Sequence, residues 1–199
     1  MRVELDHIAI GAASLAEGVA WVEARLGVTL AAGGEHATMG THNRLLSLGP
    51  SEYLEVIAVN PAAPAPPHRR WFGLDDFSGA PRPVSWVVRT DNLAAMHLPA
   101  DVGAPMALSR GDLRWRLTVP ASGQGPYDGL YPSLIEWQGA HPATRLPPSG
   151  LRLLALELSH PEITGLAASL PLADARIGFR SAAPGLRLCF ATPSGEVWL

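Results

Sequence analysis

The sequence predicts a single α+β domain built from two βαβββ modules, with a partial βαββ copy behind them. Three observations carry that expectation. The first 60 residues run in the order β-α-β-β-β, the same order restarts after residue 82, and a shorter version follows residue 150.

Residues 3–10 (VELDHIAI) form an apolar run of strand length. After a turn, Ser14 precedes LAEGVAWVEARLG and Glu17 stands three positions on, which is a capping box opening a helix. Leu15, Val19, Val22 and Leu26 share one face of that helix, and Gly27 is a natural stop. Strands are predicted at 28–32, 42–48 and 53–59. Residues 60–83 contain NPAAPAPP and APRP, an excursion with polyproline character anchored by Trp71 and Phe72. It is long for a plain connection, which suits a segment that covers something. The pattern then restarts with a strand at 83–91, a short helix at 93–98 led by Asn92, a strand at 113–119, a Gly/Pro loop and a strand at 132–138. His7 aligns with Trp86, Ser14 with Asn92 and Glu55 with Glu136 at a nearly constant offset. A third partial copy has strands at 153–158 and 177–179, a helix at 161–170 and a closing hairpin around Pro193–Gly195. The expected organisation is a first module at 1–60, a proline-rich connection at 61–82, a second module at 83–140 and an extension at 150–199 packed on the same domain.

Composition narrows the function classes. The chain has 199 residues and a formal net charge of −3, which offers nothing for nucleic acid or an anionic membrane surface. All 15 basic residues are Arg, so neither a lysine Schiff base nor a P-loop lysine can operate. Cys189 is the only cysteine, which removes intrachain disulfides and Cys-based zinc or iron–sulfur sites. No apolar run approaches the roughly 20 residues of a membrane span, and no basic-then-apolar leader opens the sequence. A bacterial-type cytoplasmic protein is expected.

The candidate chemistry lies in strand centres. Glu55 has apolar neighbours on both sides in YLEVIAV, and Glu136 repeats the situation between Ile135 and Trp137. A lone ionised carboxylate in such a place costs several kcal/mol unless it is paired, hydrogen-bonded or bound to a cation. With His7, the two acids could converge on one divalent cation, Zn, Mn, Fe or Ni. A buried His–Glu hydrogen-bonded pair would satisfy them equally well. His42 heads the next strand and could be a fourth ligand, a general base or a simple strand-start histidine, while His36 in the glycine-rich loop before it is expected in solvent. Arg114 and Arg116 alternate with Trp115 and Leu117. They could clamp a substrate carboxylate or phosphate, or form surface ion pairs. Trp86, Trp115 and Trp137 could wall a substrate pocket or fill the core.

The segments LDHI (5–8), GTHN (40–43), YLEVI (53–57), RWRL (114–117) and LIEW (134–137) resemble the glyoxalase-like branch of the vicinal-oxygen-chelate superfamily, and SHP (159–161) and PSGEV (193–197) resemble its tail. The resemblance implies paired modules forming a U-shaped mixed sheet around a cleft. It implies metal ligands from the first and last strands of each module, which fall on His7, Glu55, Trp86 and Glu136. An indole cannot ligate a metal, so the Trp86 place would pass to water, substrate or His42, or the metal would be missing. The implied activity is a metal-dependent lyase, isomerase or dioxygenase. It would act on a small oxygen-bearing substrate, with His7, Glu55 and Glu136 on the metal. His42 or a released Glu136 would move a proton, and Trp86, Trp115 and Arg116 would hold substrate. The alternative is a metal-free binding or resistance protein of the same fold. Relatives often pair modules between chains, so a homodimer is also implied.

Overall fold

The computed structural model describes residues 3–199. The first module contains β1 (Val3–Gly11), α1 (Leu15–Leu26), β2 (Ala31–His36), β3 (Thr41–Ser47) and β4 (Tyr53–Val59). The second contains β5 (Arg82–Thr90), β6 (Ala104–Arg110), β7 (Leu113–Val119) and β8 (Ser133–Trp137). The C-terminal part contains β9 (Arg152–Ser159), α2 (Ile163–Ser169), β10 (Ile177–Arg180), β11 (Gly185–Thr192) and β12 (Gly195–Trp198).

The first eight strands form one mixed sheet in the order β2-β3-β4-β1-β5-β8-β7-β6. Its halves repeat each other. β1 lies parallel to β4, β5 lies parallel to β8, and the modules join through the antiparallel β1–β5 pair. The sheet curls until its two end strands, β2 and β6, touch. This is the U-shaped α+β architecture expected from the sequence, closed almost to a barrel.

The capping box forms as expected: the Ser14 hydroxyl accepts from the Glu17 amide, and Gly27 ends α1 in the left-handed region. In the second module the helix expected at 93–98 shrinks to a single 3-10 turn, Leu93–Ala95. Pro99 disfavours helical backbone just before it, so the turn cannot propagate. The sequence reading missed β6. Its APMALSR stretch has weak strand propensity and a proline, which an edge strand tolerates.

Two apolar clusters lie on opposite faces of the curled sheet. On the outer face, Ile8, Ile10, Trp86 and Leu134 pack against Val22 and Leu26 of α1 and against Leu156, Leu158, Leu188 and Phe190 of the second sheet. That sheet has the order β10-β9-β11-β12. On the inner face, Ala9, Met39, Ile57, Val87, Trp115 and Ile135 surround Trp71. Side chains alternate between faces along a strand, so this partition decides which residues can take part in a site.

Trp86 belongs to the outer core. It is fully buried, and its indole N–H donates to the Leu130 carbonyl at 2.7 Å. Its role is to seat the loop before β8. Trp86→Phe should therefore leave that buried carbonyl without its donor and cost about 1–3 kcal/mol. Urea unfolding should show a lower midpoint with an unchanged m-value.

Candidate functional site

The inner face is chemically lopsided. The first module supplies the polar groups. β1 carries a bulge: its register with β5 slips between Leu5 and His7, making Asp6 the extra residue. Both Asp6 and His7 are thereby available at the end of the cleft. The Asp6 carboxylate is fully buried and accepts from His7 Nδ1 at 2.7 Å, Trp137 Nε1 at 2.9 Å and His141 Nε2 at 2.9 Å. Burial alone would push its pKa up. The hydrogen bonds and positive potential of the two imidazoles outweigh that and hold the carboxyl well below the ordinary range.

With Nδ1–H turned to Asp6, the other ring nitrogen of His7 faces Glu55, at 3.7 Å from Oε2. The His7 ring stacks on Tyr53, with centroids 4.5 Å apart and 13° between the planes. Asn43 on β3 orients Glu55. Its amide nitrogen donates to Glu55 Oε1 at 2.5 Å, while its carbonyl oxygen accepts from the Gly34 amide at 2.8 Å. A Cβ on Gly33 would stand 2.2 Å from Asn43 Oδ1. The Gly33–Gly34 pair, where β2 slips register, is what lets Asn43 dock there. His36 closes the polar side, with Nε2 4.0 Å from Glu55 Oε1 and Nδ1 bonded to Thr41 at 3.0 Å. Burial first, then the positive charge of Arg110, His7 and His42, lower its pKa to about 3, so it is neutral in the folded protein at neutral pH.

The second module supplies an aromatic and apolar wall. Trp115 and Trp137 lie with ring centroids 5.3 Å apart, beside Leu117 and Ile135. The turn Trp71–Asp76 from the proline-rich excursion covers the opening, and Trp71 meets His36 edge-on at 5.0 Å. The cavity that remains has a volume of about 20 Å³ and is lined by His7, His36, Glu55, Trp71, Arg110 and Trp137 among others. That is room for about one water molecule.

Measured against the sequence expectations, the structure brings His7, Glu55 and Trp115 to this cavity and leaves four other residues outside it. Glu136 projects from the other face of β8, where its carboxylate accepts from the Leu93 amide at 2.6 Å and lies 3.9 Å from Arg116. Arg116 pairs with it there, and Trp86 lies in the outer core. The cause is parity: moving one position along a strand turns a side chain to the opposite face. Val87 and Ile135 occupy the inner face where Trp86 and Glu136 were expected. His42 alternates with Thr41 and Asn43 on β3, does not line the cavity, and has a pKa lowered mainly by burial.

The divalent metal implied by the fold family therefore lacks the expected donors. Of that set only His7 and Glu55 reach the cavity, and Glu136 is turned away. Among the described residues no group of three or more His, Cys, Asp or Glu side chains is arranged to hold an ion. The expected His7–Glu55–Glu136 set does not assemble. The sequence reading passed over Asp6, Asn43 and Arg110 and expected His36 in solvent. Asn43 alone had a visible signal, since it closes the GTHN segment.

A family model described as a glyoxalase-like domain matches residues 5–172. No curated protein matches. Among solved structures, a hypothetical protein from Staphylococcus aureus is 11% identical at a TM-score of 0.59, covering 100% of this chain and 84% of its own. A methylmalonyl-CoA epimerase from Mycobacterium tuberculosis is 18% identical at a TM-score of 0.45, covering 71% of this chain and 91% of its own. These likenesses concern the fold.

His36 generates a pH prediction. Its folded pKa lies below the roughly 6.5 of an unfolded histidine, so the unfolded chain takes up the proton first. Stability from this group is complete above about pH 6.5 and declines as pH falls towards 3, by up to about 1.4 kcal/mol per pH unit. Between pH 6.5 and 4.5, where Asp6 is still ionised in both states, chemical denaturation should show this slope in the wild type. It should be flatter in His36→Gln.

Proposed function

The chain belongs to the glyoxalase-like domain family, and from that premise we propose that it is a proton-transfer enzyme acting on a small oxygen-bearing compound in the inner cleft. One observation carries the reading. Glu55 is a strand-centre carboxylate, 5% exposed, steadied by a neutral amide, and the ion-pair partners it has are imidazoles rather than an arginine. A carboxylate clamped by guanidinium is a structural fixture. One beside His7, with no guanidinium on it, is placed to take a proton from a hydroxyl or from a carbon next to a carbonyl.

Asp6 and His7 complete the set. The Asp6 hydrogen bond fixes the His7 ring, whose far nitrogen carries a lone pair when neutral and an N–H when charged. His7 can thus return a proton, or donate to an oxygen that gains negative charge as Glu55 removes one. The tryptophan wall receives the apolar part of the substrate. Isomerase and lyase outcomes share this step. A substrate larger than water requires the Trp71–Asp76 turn to open and then reclose against it, and the left-handed backbone at Phe72 and Gly73 marks where the turn bends.

A second reading is a metal-free binding protein for small aromatic compounds. It is favoured by the same wall, where Trp71, Trp115 and Trp137 enclose one cavity.

The test is solvent-deuterium exchange into a panel of small carbon acids and hydroxy-carbonyl compounds, followed by NMR with chelator present. Exchange catalysed by the wild type should drop by roughly 10²-fold or more in Glu55→Gln and by a smaller factor in Asp6→Asn. Exchange that is unaffected in Glu55→Gln would remove the acid from the mechanism. Saturable quenching of tryptophan fluorescence without any exchange would favour the binding reading. Metal analysis is a further check: a stoichiometric divalent ion, lost in both His7→Ala and Glu55→Gln, would restore the metal-dependent reading.

A further inference from the structure

We propose that Arg110 is the anchor for an organic carboxylate, so that the ligand of the inner cleft is a small hydroxy- or oxo-carboxylate anion held between Arg110 and Trp71. The inference rests on the proton-transfer reading and narrows its substrate class.

Arg110 ends β6 and lines the cavity together with His7, His36 and Glu55. Among the described residues its guanidinium forms no hydrogen bond and no ion pair. Neighbouring arginines differ: Arg70 holds Asp75, Arg145 grips Asp112 with two bonds of 2.7 Å, and Arg116 faces Glu136. The position of Arg110 is built rather than incidental. Its stem crosses the bare backbone of Gly34 on the opposite end strand, where a Cβ would come within 2.9 Å of Cδ and 3.0 Å of Cγ. The closure of the sheet thus delivers a guanidinium to the cleft along a path that a side chain at Gly34 would obstruct. It shares the cavity lining with His36, Tyr53 and Glu55, the polar side.

A second donor points the same way. Trp71 is 3% exposed, lines the same cavity, and its indole nitrogen is buried without an acceptor. A buried N–H with no partner costs free energy that an incoming acceptor would recover. The residues lining the cavity therefore include a cation and a buried N–H that both lack acceptors, alongside the Glu55 carboxylate and the His7 imidazole. The complementary molecule has acceptor oxygens at one end and an acidic O–H or C–H at the other. A monoanionic carboxylate meets this with two oxygens for the guanidinium fork. A phosphate dianion would bring a second negative charge into the same small cavity as Glu55.

Titration of the protein with mandelate, lactate, neutral mandelamide and inorganic phosphate, followed by calorimetry and tryptophan fluorescence with chelator present, tests the assignment. Mandelate or lactate should bind saturably, with mandelamide weaker than mandelate by roughly tenfold or more. Arg110→Gln should lose a similar factor, Arg110→Lys should recover part of it, and Gly34→Ala should weaken binding by displacing the arginine stem. Arg110 is only partly buried, and unchanged thermal unfolding of its variants would show that the fold is intact. Glu55→Gln should retain or tighten carboxylate binding while deuterium exchange fails, which separates this proposal from the catalytic one. Carboxylate affinity unchanged in Arg110→Gln, equal affinity for mandelate and mandelamide, tighter binding of phosphate, or no binding of either acid at millimolar concentration would overturn the assignment.

Discussion

A single buried carboxylate ties the two halves of the molecule together at the end of the cleft. Asp6 comes from the first strand of the first module, and its donors come from that strand, from the last strand of the second module and from the segment beyond it. A fully buried acid with one partner would be destabilising. With Trp137, His141 and His7 all donating, the charge is satisfied and three chain segments are fixed relative to one another. The bulge that makes Asp6 an extra residue is therefore both a fold feature and the device that orients His7.

The remainder of the cleft follows from a division of labour between halves that share one strand order. Both modules have the same topology, yet the first lines the interior with His7, His36, Asn43 and Glu55, and the second with Val87, Trp115, Ile135 and Trp137. A symmetrical ligand set, two groups from each module, would favour a central ion. The lopsided set has one polar wall and one apolar wall, with Arg110 at the seam where the sheet closes.

Much of the architecture was legible in the sequence because its signals are local. The capping box at Ser14 and Glu17, the glycine stop at Gly27 and the strand-length apolar runs depend on neighbours within a few positions. Glu55 and His7 were legible too, since a polar group in the middle of an apolar strand needs a reason. Glu136 gave the same signal but faces the other way, because in alternating strands an alignment error of one residue exchanges inside for outside. His36 read as a loop histidine. The Gly33–Gly34 irregularity that keeps it in a strand and buries it is only visible once Asn43 is seen to occupy the space. Arg110 was out of reach, because it sits on a strand with weak propensity and acquires meaning only through contact between the first and last strands of the sheet order.

The joining of both modules in one polypeptide has a consequence for how the cleft responds to concentration. Each wall is connected to the other through the adjacent strands β1 and β5 and through Asp6, and the outer face is already covered by α1 and the C-terminal sheet. A cleft made from two separate chains falls apart on dilution, with its two walls parting as the subunits do. Here the walls are covalent neighbours joined by the β1–β5 pair, so the cleft itself does not come apart on dilution.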